Sequence, residues 1–184
     1  MAAALDEAIV LHERVRQGDL RPVIAAAAAI VTSIRAGGKV LIFGNGGSAA
    51  DAQHVAAELI GRFQRQRAAL AALALTTDTS VITSISNDDA FARVFVRQLE
   101  ALGRPGDVAF GISTSGASGN VTEALTTAAR LGLRTIALTG RDGGEVGRAA
   151  EIHVNVPSTS TARVQEVHRT LLHGICELVE GEFV

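Results

Sequence analysis

Short, continuously apolar runs alternate along the chain with longer segments in which apolar residues recur at helical spacing. Runs of strand length lie at 39–43, 69–75, 108–112, 134–138 and 152–156. Helical spacing covers 5–16, 22–35, 48 to about 63, 80–86, 90–102, 120–131 and about 161–182, with a polar turn expected at 87–89. Strands that alternate with helices and stay apolar along their length are typical of a parallel sheet covered on both faces. The pattern therefore predicts one α/β domain that begins with two N-terminal helices.

A glycine-rich loop, Gly44-Asn45-Gly46-Gly47-Ser48, joins the first predicted strand to the helix that follows. Glycines let backbone N–H groups approach an anion closely, and the positive end of the helix adds attraction for negative charge. The loop therefore predicts a phosphate site. It also satisfies the dinucleotide-binding pattern G-x-G-x-x-A, with Asp78 as a candidate for the acidic residue that this pattern requires. The glycines alone do not decide between these two ligands.

A second loop, Ser113-Thr114-Ser115-Gly116-Ala117-Ser118, ends the third predicted strand and opens another helix. Hydroxyls together with free N–H groups at a helix start form a nest for a phosphate monoester. The alternative is a polar turn in which Ser118 only caps the helix. Four hydroxyl side chains in six residues exceed what capping requires, so we favour a second phosphate site and, with it, a phosphorylated small molecule.

The helix after the glycine loop carries His54 and Glu58, which lie four residues apart and share a face. They are candidates for acid–base chemistry or metal binding, and Arg62 continues the row. A solvated charged face is the alternative. Because the helix begins at the anion loop, we expect the row to point toward the ligand.

The last predicted helix carries Gln165, His168 and His173. Gln165 and His173 are about 12 Å apart along the axis at roughly 1.5 Å rise per residue. Either both reach one small centre with extended side chains, or one of them serves the site of a neighbouring subunit. For His168 we favour a partly buried structural role, and we assign His12 and His153 to structure as well. Residues 141–144 are expected to form a tight turn.

Composition narrows the class of protein. Hydrophobic residues make up 47% and charged residues 20% of the 184 residues, which favours one packed domain over disorder. The net charge of -2 and the absence of Trp and Tyr argue against binding to nucleic acid or to an anionic membrane. Cys176 is the only cysteine, so no intrachain disulfide forms, and the N-terminus lacks a basic signal-peptide region. We therefore expect a cytoplasmic protein, with Cys176 in the core.

Taken together, these residues resemble the sugar-isomerase (SIS) domain family and, within it, the phosphoheptose isomerases. The resemblance covers about residues 38 to 184. It is carried by Gly44 to Ser48, Ala52 to His54 with Glu58, Asn87-Asp88, Ser113 to Gly116, Leu138 to Gly140 with Asp142 to Gly144, and Ala162 to Glu166 with His173. The hydroxyl loop is common to SIS proteins, whereas the combination of His54, Glu58, Gln165 and His173 is specific to the isomerases.

The resemblance implies a doubly wound, five-stranded parallel sheet flanked by helices (residues 38–184), with residues 1–37 as N-terminal helices that take part in oligomer contacts. It implies a homotetramer with active sites at subunit interfaces. The reaction implied is the interconversion of sedoheptulose 7-phosphate, a phosphorylated seven-carbon sugar, and D-glycero-D-manno-heptose 7-phosphate through an enediol.

The resemblance also implies roles for residues. Glu58 would be the base and His173 the acid, and one zinc ion per subunit would be held by His54, Glu58, Gln165 and His173. The remaining matches are substrate contacts: Asn45, Gly46, Gly47, Ser48, Glu58, Arg62, Asn87, Asp88, Ser113, Thr114, Ser115, Ser118 and Gln165. Some relatives carry an acidic residue where Ala162 stands, so a helper carboxylate is not expected here.

Two other functions remain open at this point. A non-catalytic SIS adaptor that binds a replication initiator would share much of the fold but lack the complete Glu and His set, which this chain retains. An isomerase of another long-chain sugar phosphate would present the same loops to a similar ligand. We expect the heptose isomerase.

Overall fold

The computed structural model describes all residues from 1 to 184. Eight α-helices and five β-strands follow one another along the chain. In order they are α1 (Ala2–Arg16), α2 (Arg21–Arg35), β1 (Val40–Gly44), α3 (Gly47–Ile60), β2 (Ala72–Ala74), α4 (Thr79–Asp88), a 3-10 turn (Phe91–Arg93), α5 (Val94–Leu102), β3 (Val108–Ser113), α6 (Gly119–Arg130), β4 (Arg134–Gly140), α7 (Gly144–Arg148), β5 (Ile152–Val156) and α8 (Thr161–Glu180).

The five strands form one sheet in the order β2-β1-β3-β4-β5, and every neighbouring pair is parallel. The chain steps from β1 outward to β2, then returns to β3 on the other side of β1 and continues outward. This reversal places the topological switch point between β1 and β3, where open α/β sheets bind ligands beyond the carboxyl ends of the strands. The predicted doubly wound, five-stranded sheet is confirmed.

Each face of the sheet packs on its own apolar cluster, because successive side chains of a strand point to opposite faces. From β1, Val40 and Ile42 enter the cluster formed with α2, α3 and α8. Leu41 and Phe43 enter the cluster formed with α5, α6 and α7. All four are fully buried, which explains why the strand reads as a continuous apolar run.

Several element bounds differ from those predicted. α3 ends at Ile60 and not near residue 63, since the backbone leaves helical geometry at Gly61. The predicted strand 69–75 pairs only over Ala72–Ala74, at the edge of the sheet. The expected turn at 87–89 begins two residues late, because α4 continues through Asp88. The short helix α7 was not predicted; its five residues include two glycines and show no apolar period.

The two N-terminal helices pack on α8, and α2 also lies against the sheet. α2 buries a stripe that includes Ala26 and Ile30, whereas α1 buries only Leu11. The other large apolar side chains of α1 stay in contact with solvent, with Leu5, Ile9 and Val10 about three-fifths exposed at 59%, 66% and 59%. The division at residue 37 stays a prediction. None of the helices combines the length and the apolar character needed to cross a bilayer.

Candidate active site

The glycine loop lies at the carboxyl end of β1, at the switch point, and leads directly into α3. Gly46 has a φ of 56°, a left-handed conformation that glycine adopts without strain. The backbone N–H groups of Asn45, Gly46 and Gly47 donate to no protein group. Three free donors at the start of a 14-residue helix make a site for an anionic ligand.

The hydroxyl loop lies beside it, at the end of β3 and the start of α6. Ser118 occupies the N-cap position of α6, but its hydroxyl makes no capping hydrogen bond. It lies instead 2.9 Å from the hydroxyl of Ser113, which is 3.4 Å from that of Ser115. The N–H groups of Thr114, Ser115 and Ser118 have no protein partner. The loop therefore gathers hydroxyls and free N–H donors, and the simple capping alternative does not describe it.

A reciprocal pair of amide hydrogen bonds joins the two loops. The side chain of Asn45 donates to that of Asn120 at 2.9 Å, and Asn120 donates back to Asn45 at 3.0 Å. Asn120 is 6% exposed and was not among the predicted site residues. The sequence gives only a weak signal for it, an amide just after the start of a helix, because the pairing spans two loops 75 residues apart.

His54 and Glu58 of α3 face His173 of α8. The Nε2 atoms of His54 and His173 are 2.7 Å apart, and a carboxylate oxygen of Glu58 is 3.6 Å from the His54 Nε2. The two imidazole rings meet edge to face, and the ring of Phe63 lies against His173 with centroids 5.4 Å apart. At 2.7 Å one imidazole donates a hydrogen bond to the other, and the tautomers decide which is the donor. The structure thus brings a carboxylate and two imidazoles together at one half-buried position.

Gln165 approaches α3 at its other end. A Cβ built on Gly47 would lie 1.7 Å from the Gln165 Nε2, so the amide rests on the Cα of the glycine loop. Gln165 and His173 therefore face the same helix of the same chain from opposite ends, and His173 is the one that contacts His54. Gln165 has no hydrogen bond to His54, Glu58 or His173.

Two imidazoles and a carboxylate are donors of the kind that zinc prefers. No group of three or more His, Cys, Asp or Glu side chains is spaced to hold a metal as the atoms stand. The two Nε2 atoms are 2.7 Å apart, whereas nitrogens bound to one tetrahedral zinc at about 2.0–2.1 Å are about 3.3 Å apart. The donor set fits zinc in kind, and the two rings must part by about 0.6 Å to accept it.

Other predicted site residues lie apart from this cluster. Arg62 follows the end of α3, so it does not continue the helical row, and that expectation is wrong because the helix stops at Gly61. Its side chain is exposed and donates to the carbonyl of Gln64. Asn87 and Asp88 end α4 and bond each other at 2.8 Å, with no hydrogen bond to either loop. Ser48 is buried at the start of α3.

The acidic residue required by the dinucleotide pattern is already used. Asp78 is the N-cap of α4, and its carboxylate accepts the N–H of Val81 at 3.0 Å. This local role weakens the dinucleotide alternative.

Two buried carboxylates that sequence reasoning missed tie α3 and its following loop to α8. Asp51 is 1% exposed and bonds Arg169 at 2.5 Å. Glu180 is 2% exposed and accepts the N–H groups of residues 63 to 65. A signal for Glu180 existed: it follows Leu172 and Cys176 at intervals of four on the apolar stripe of α8, where a carboxylate needs a partner.

The remaining histidines and the cysteine have structural surroundings. His168 is fully buried and donates from Nε2 to the carbonyl of Thr139, and burial lowers its pKa. His153 contacts the hydroxyl of Thr139 at 2.7 Å, and burial lowers its pKa too. The partly buried His12 bonds Ala8 and Thr170. Burial raises the pKa of the Cys176 thiol to about 12.

Comparison with known proteins agrees with the fold and shows the family. Residues 5–140 match the SIS domain family model. Phosphoheptose isomerase from Roseiflexus sp. (strain RS-1) is 49% identical over 176 residues, 96% of this chain and 89% of the relative. The enzyme of that name from Aquifex aeolicus is 56% identical over 158 residues, 86% of this chain and 83% of the relative.

A solved structure gives the same result. Phosphoheptose isomerase from Neisseria gonorrhoeae superimposes with a TM-score of 0.92 at 45% identity, over 98% of this chain and 96% of that one. Likeness at this level extends beyond the fold, because it holds in sequence and structure along nearly the whole length. The chain therefore belongs to the SIS domain family and, within it, to the phosphoheptose isomerases, which are aldose–ketose isomerases.

Proposed function

We propose that this protein interconverts sedoheptulose 7-phosphate and D-glycero-D-manno-heptose 7-phosphate through an enediol, with Glu58 as base and His173 as acid. The observation that carries the proposal is the cluster of Glu58, His54 and His173 on facing helices, beside two loops of unpaired N–H donors. A carboxylate next to imidazoles suits proton transfer at carbon and oxygen. The loops suit a dianionic phosphate.

The phosphate is held by the hydroxyl loop in this proposal, with the N–H groups of Thr114, Ser115 and Ser118 as donors. The glycine loop then faces the hydroxyls of the sugar chain. From Gly47 to His54 the helix rises about 10 Å, a span comparable to an open-chain sugar phosphate of this size. Binding energy from the phosphate thereby orients carbons 1 and 2 at the other end of the ligand.

The proton movements balance within these residues. Glu58 removes a proton from carbon 1 of the ketose, and the electron pair forms the double bond of the enediol as oxygen 2 gains a proton from His173. His173 then takes the proton of oxygen 1. The protonated Glu58 returns its proton to carbon 2, which yields the aldehyde at carbon 1 and restores both residues.

We further propose one zinc ion per subunit, held by His54, Glu58 and His173, with Gln165 as the fourth ligand. The mixture of nitrogen and oxygen donors supports this choice. When bound, zinc supplies a Lewis acid that polarises the carbonyl and hydroxyl oxygens of the sugar. Gln165 must then swing from Gly47 toward the histidines, a movement that a long, flexible side chain permits.

We also propose that α1 contributes to a homotetramer with active sites at subunit interfaces. Its apolar residues Leu5, Ile9 and Val10 are about three-fifths exposed, and a groove between α1 and α8 reaches His12 and Thr170. Exposed apolar area of this kind is typical of a contact surface. Light scattering after size exclusion tests the proposal: the wild type elutes as a tetramer, and Ile9→Glu shifts it to smaller species. A monomeric wild type contradicts it.

The reaction is tested by adding purified protein to sedoheptulose 7-phosphate and following aldose formation. Glu58→Gln should lower kcat by about 10³-fold or more, because it removes the base. Glu177→Gln is the matched control, an exposed glutamate on α8, and should leave kcat unchanged. No turnover by zinc-replete wild type, or full activity in Glu58→Gln, contradicts the assignment. Faster turnover of another long-chain sugar phosphate would identify that sugar as the substrate in place of the heptose.

Zinc is tested separately by metal analysis and chelation. We expect about one zinc per subunit, loss of activity on dialysis against a chelator and recovery on adding zinc. His54→Ala should lose the metal, whereas His12→Ala, which changes a partly buried histidine of α1 outside the cluster, should retain it. Full activity in metal-free protein contradicts the zinc proposal without affecting the roles of Glu58 and His173.

A further inference from the structure

We propose that a buried ion pair outside the catalytic cluster, Arg67 with Glu180, is the positioning device that fixes Glu58 and His173 relative to each other. The proposal rests on the function proposed above, in which Glu58 is the base and His173 the acid. Arg67 and Glu180 have side chains only 1% and 2% exposed, and their nearest charged atoms are 3.4 Å apart. Neither touches the place where a sugar would react.

Arg67 holds the end of the helix that carries the base. Its guanidinium donates to the carbonyl oxygen of Glu58 itself at 2.7 Å and to that of Leu59 at 2.9 Å. The last carbonyls of a helix have no partner within it, and a cation there also opposes the negative end of the helix dipole. Since Glu58 lies in the last turn of α3, the peptide that bears the proposed base is anchored by Arg67.

Glu180 holds the loop that carries Phe63, the residue packed against the proposed acid His173. Its two carboxylate oxygens accept the N–H groups of Phe63, Gln64 and Arg65 at 2.9, 2.8 and 2.8 Å. The Phe63 ring lies against His173, with centroids 5.4 Å apart. Glu180 also ends α8, two turns beyond His173. The Glu180 carboxylate therefore fixes the position of Phe63, against which the proposed acid His173 packs.

The ionised form of Glu180 is the one that these contacts favour. Desolvation raises its pKa, but the three N–H donors and the Arg67 guanidinium outweigh that effect and lower the pKa overall. Replacing one member of a buried ion pair leaves the other charge without a partner. Both Glu58 and His173 then lose a fixed position, because Arg67 holds the peptide of Glu58 and Glu180 holds Phe63, which lies against His173.

The glycine loop, proposed to face the sugar hydroxyls, lies at the opposite end of α3, about 20 Å from Ile60 at 1.5 Å rise per residue, and the hydroxyl loop proposed to hold the phosphate lies beside it. Loss of the pair should therefore impair the chemical step and spare substrate binding. A displacement near 1 Å of a catalytic group costs up to about 10²-fold in rate. We expect kcat of Glu180→Gln to fall at least about tenfold, with KM within about threefold of wild type.

The experiment compares Glu180→Gln with Glu182→Gln at 25 °C, with circular dichroism to confirm that each variant is folded. Glu182 is the matched control, since it forms an ion pair with Arg35 at the same end of the chain, but with side chains about half exposed. Glu182→Gln should keep the kcat and KM of wild type. Hydrogen exchange at the amides of residues 63 to 65 should accelerate in Glu180→Gln only.

A folded Glu180→Gln with accelerated exchange but kcat within twofold of wild type overturns the proposal. If Glu180→Gln does not fold, Arg67→Lys tests the same pair by the same measurements, because lysine lacks the planar fork by which the two terminal nitrogens of Arg67 reach separate helix carbonyls. If wild type does not turn over the heptose phosphate, the proposed function fails by itself. The ring-proton NMR shifts of His173 then decide the positioning role: a change in Glu180→Gln but not in Glu182→Gln supports it, and no change overturns it.

Discussion

Adding one methyl group at Gly47 is expected to separate activity from stability. A Cβ on Gly47 would lie 1.7 Å from the Gln165 Nε2, and 2.6 and 2.8 Å from the Cδ and Oε1 of the same side chain. Ordinary contact between such atoms is about 3.5 Å, so the amide must move by almost 2 Å. The atom that moves is the far end of a flexible side chain, and Gly47 has no left-handed φ that would strain an alanine.

The fold should therefore tolerate Gly47→Ala, and alanine at a helical position adds up to about 1 kcal/mol of stability. Activity should fall, since Gln165 is proposed to serve the metal or the substrate, and a misplacement above 1 Å costs about 10²-fold in such sites. The assay is kcat on sedoheptulose 7-phosphate, run beside a urea unfolding curve. We expect kcat to drop at least about tenfold while the unfolding midpoint stays or rises.

Gly119→Ala is the matched control. It also begins a helix directly after a candidate ligand loop, but a Cβ there meets nothing within 4 Å, so kcat should be unchanged. The double variant Gly47→Ala/Gln165→Ala removes the clashing side chain and should match Gln165→Ala alone. Normal activity in Gly47→Ala, or a double variant worse than Gln165→Ala, would refute an effect transmitted through Gln165.

Three other measurements test separate contacts. Glu180 has a lowered pKa in the folded protein, so the unfolded state binds more protons near pH 4, and the stabilising contribution of Glu180 is full above about pH 4.3 and lost as the pH falls. In urea unfolding, the difference in free energy of unfolding between wild type and Glu180→Gln should therefore disappear in acid. A difference that stays constant with pH would contradict this. Asn120→Ala should lower the free energy of unfolding by about 1–2 kcal/mol and raise KM, because it removes both side-chain hydrogen bonds to Asn45. An unchanged KM would show that these hydrogen bonds do not order the two loops. Cys176, with its pKa at about 12, should resist a thiol reagent at pH 8 until denaturant is added, and labelling in the native state would contradict its burial.

The parallel sheet was predictable because both of its faces are covered. Val40 to Phe43 are all fully buried, so the sequence shows an uninterrupted apolar run that no surface strand would carry. The edge strand shows the limit of that logic: the run at 69–75 pairs only over Ala72–Ala74, since pairing depends on the neighbouring strand and not on the run itself. Helix α7 escaped prediction because Gly144 and Gly147 carry no apolar signal.

Within the candidate site, local spacing was informative and distant pairing was not. The interval from His54 to Glu58 fixes a shared helix face from sequence alone. The encounter with His173, 119 residues away, followed only from the family resemblance, and its 2.7 Å geometry needed the structure. Arg62 shows the opposite failure, since a row drawn by spacing assumed a helix that had already ended at Gly61.

The contacts that sequence reasoning missed have one property in common: each joins a buried polar group to a partner far away in the chain. Asp51 meets Arg169 across 118 residues, and Glu180 meets the amides of residues 63 to 65 across at least 115. Composition and periodicity register such residues only as exceptions on an apolar stripe. A carboxylate is tolerated in the protein interior only where hydrogen-bond donors or cations contact it. Each buried carboxylate on an apolar stripe therefore implies a partner that the fold must hold in place. In this chain Asp51 of α3 is met by Arg169 of α8, and Glu180 of α8 is met by the loop after α3, so both buried carboxylates tie α8 to the element that carries the proposed base.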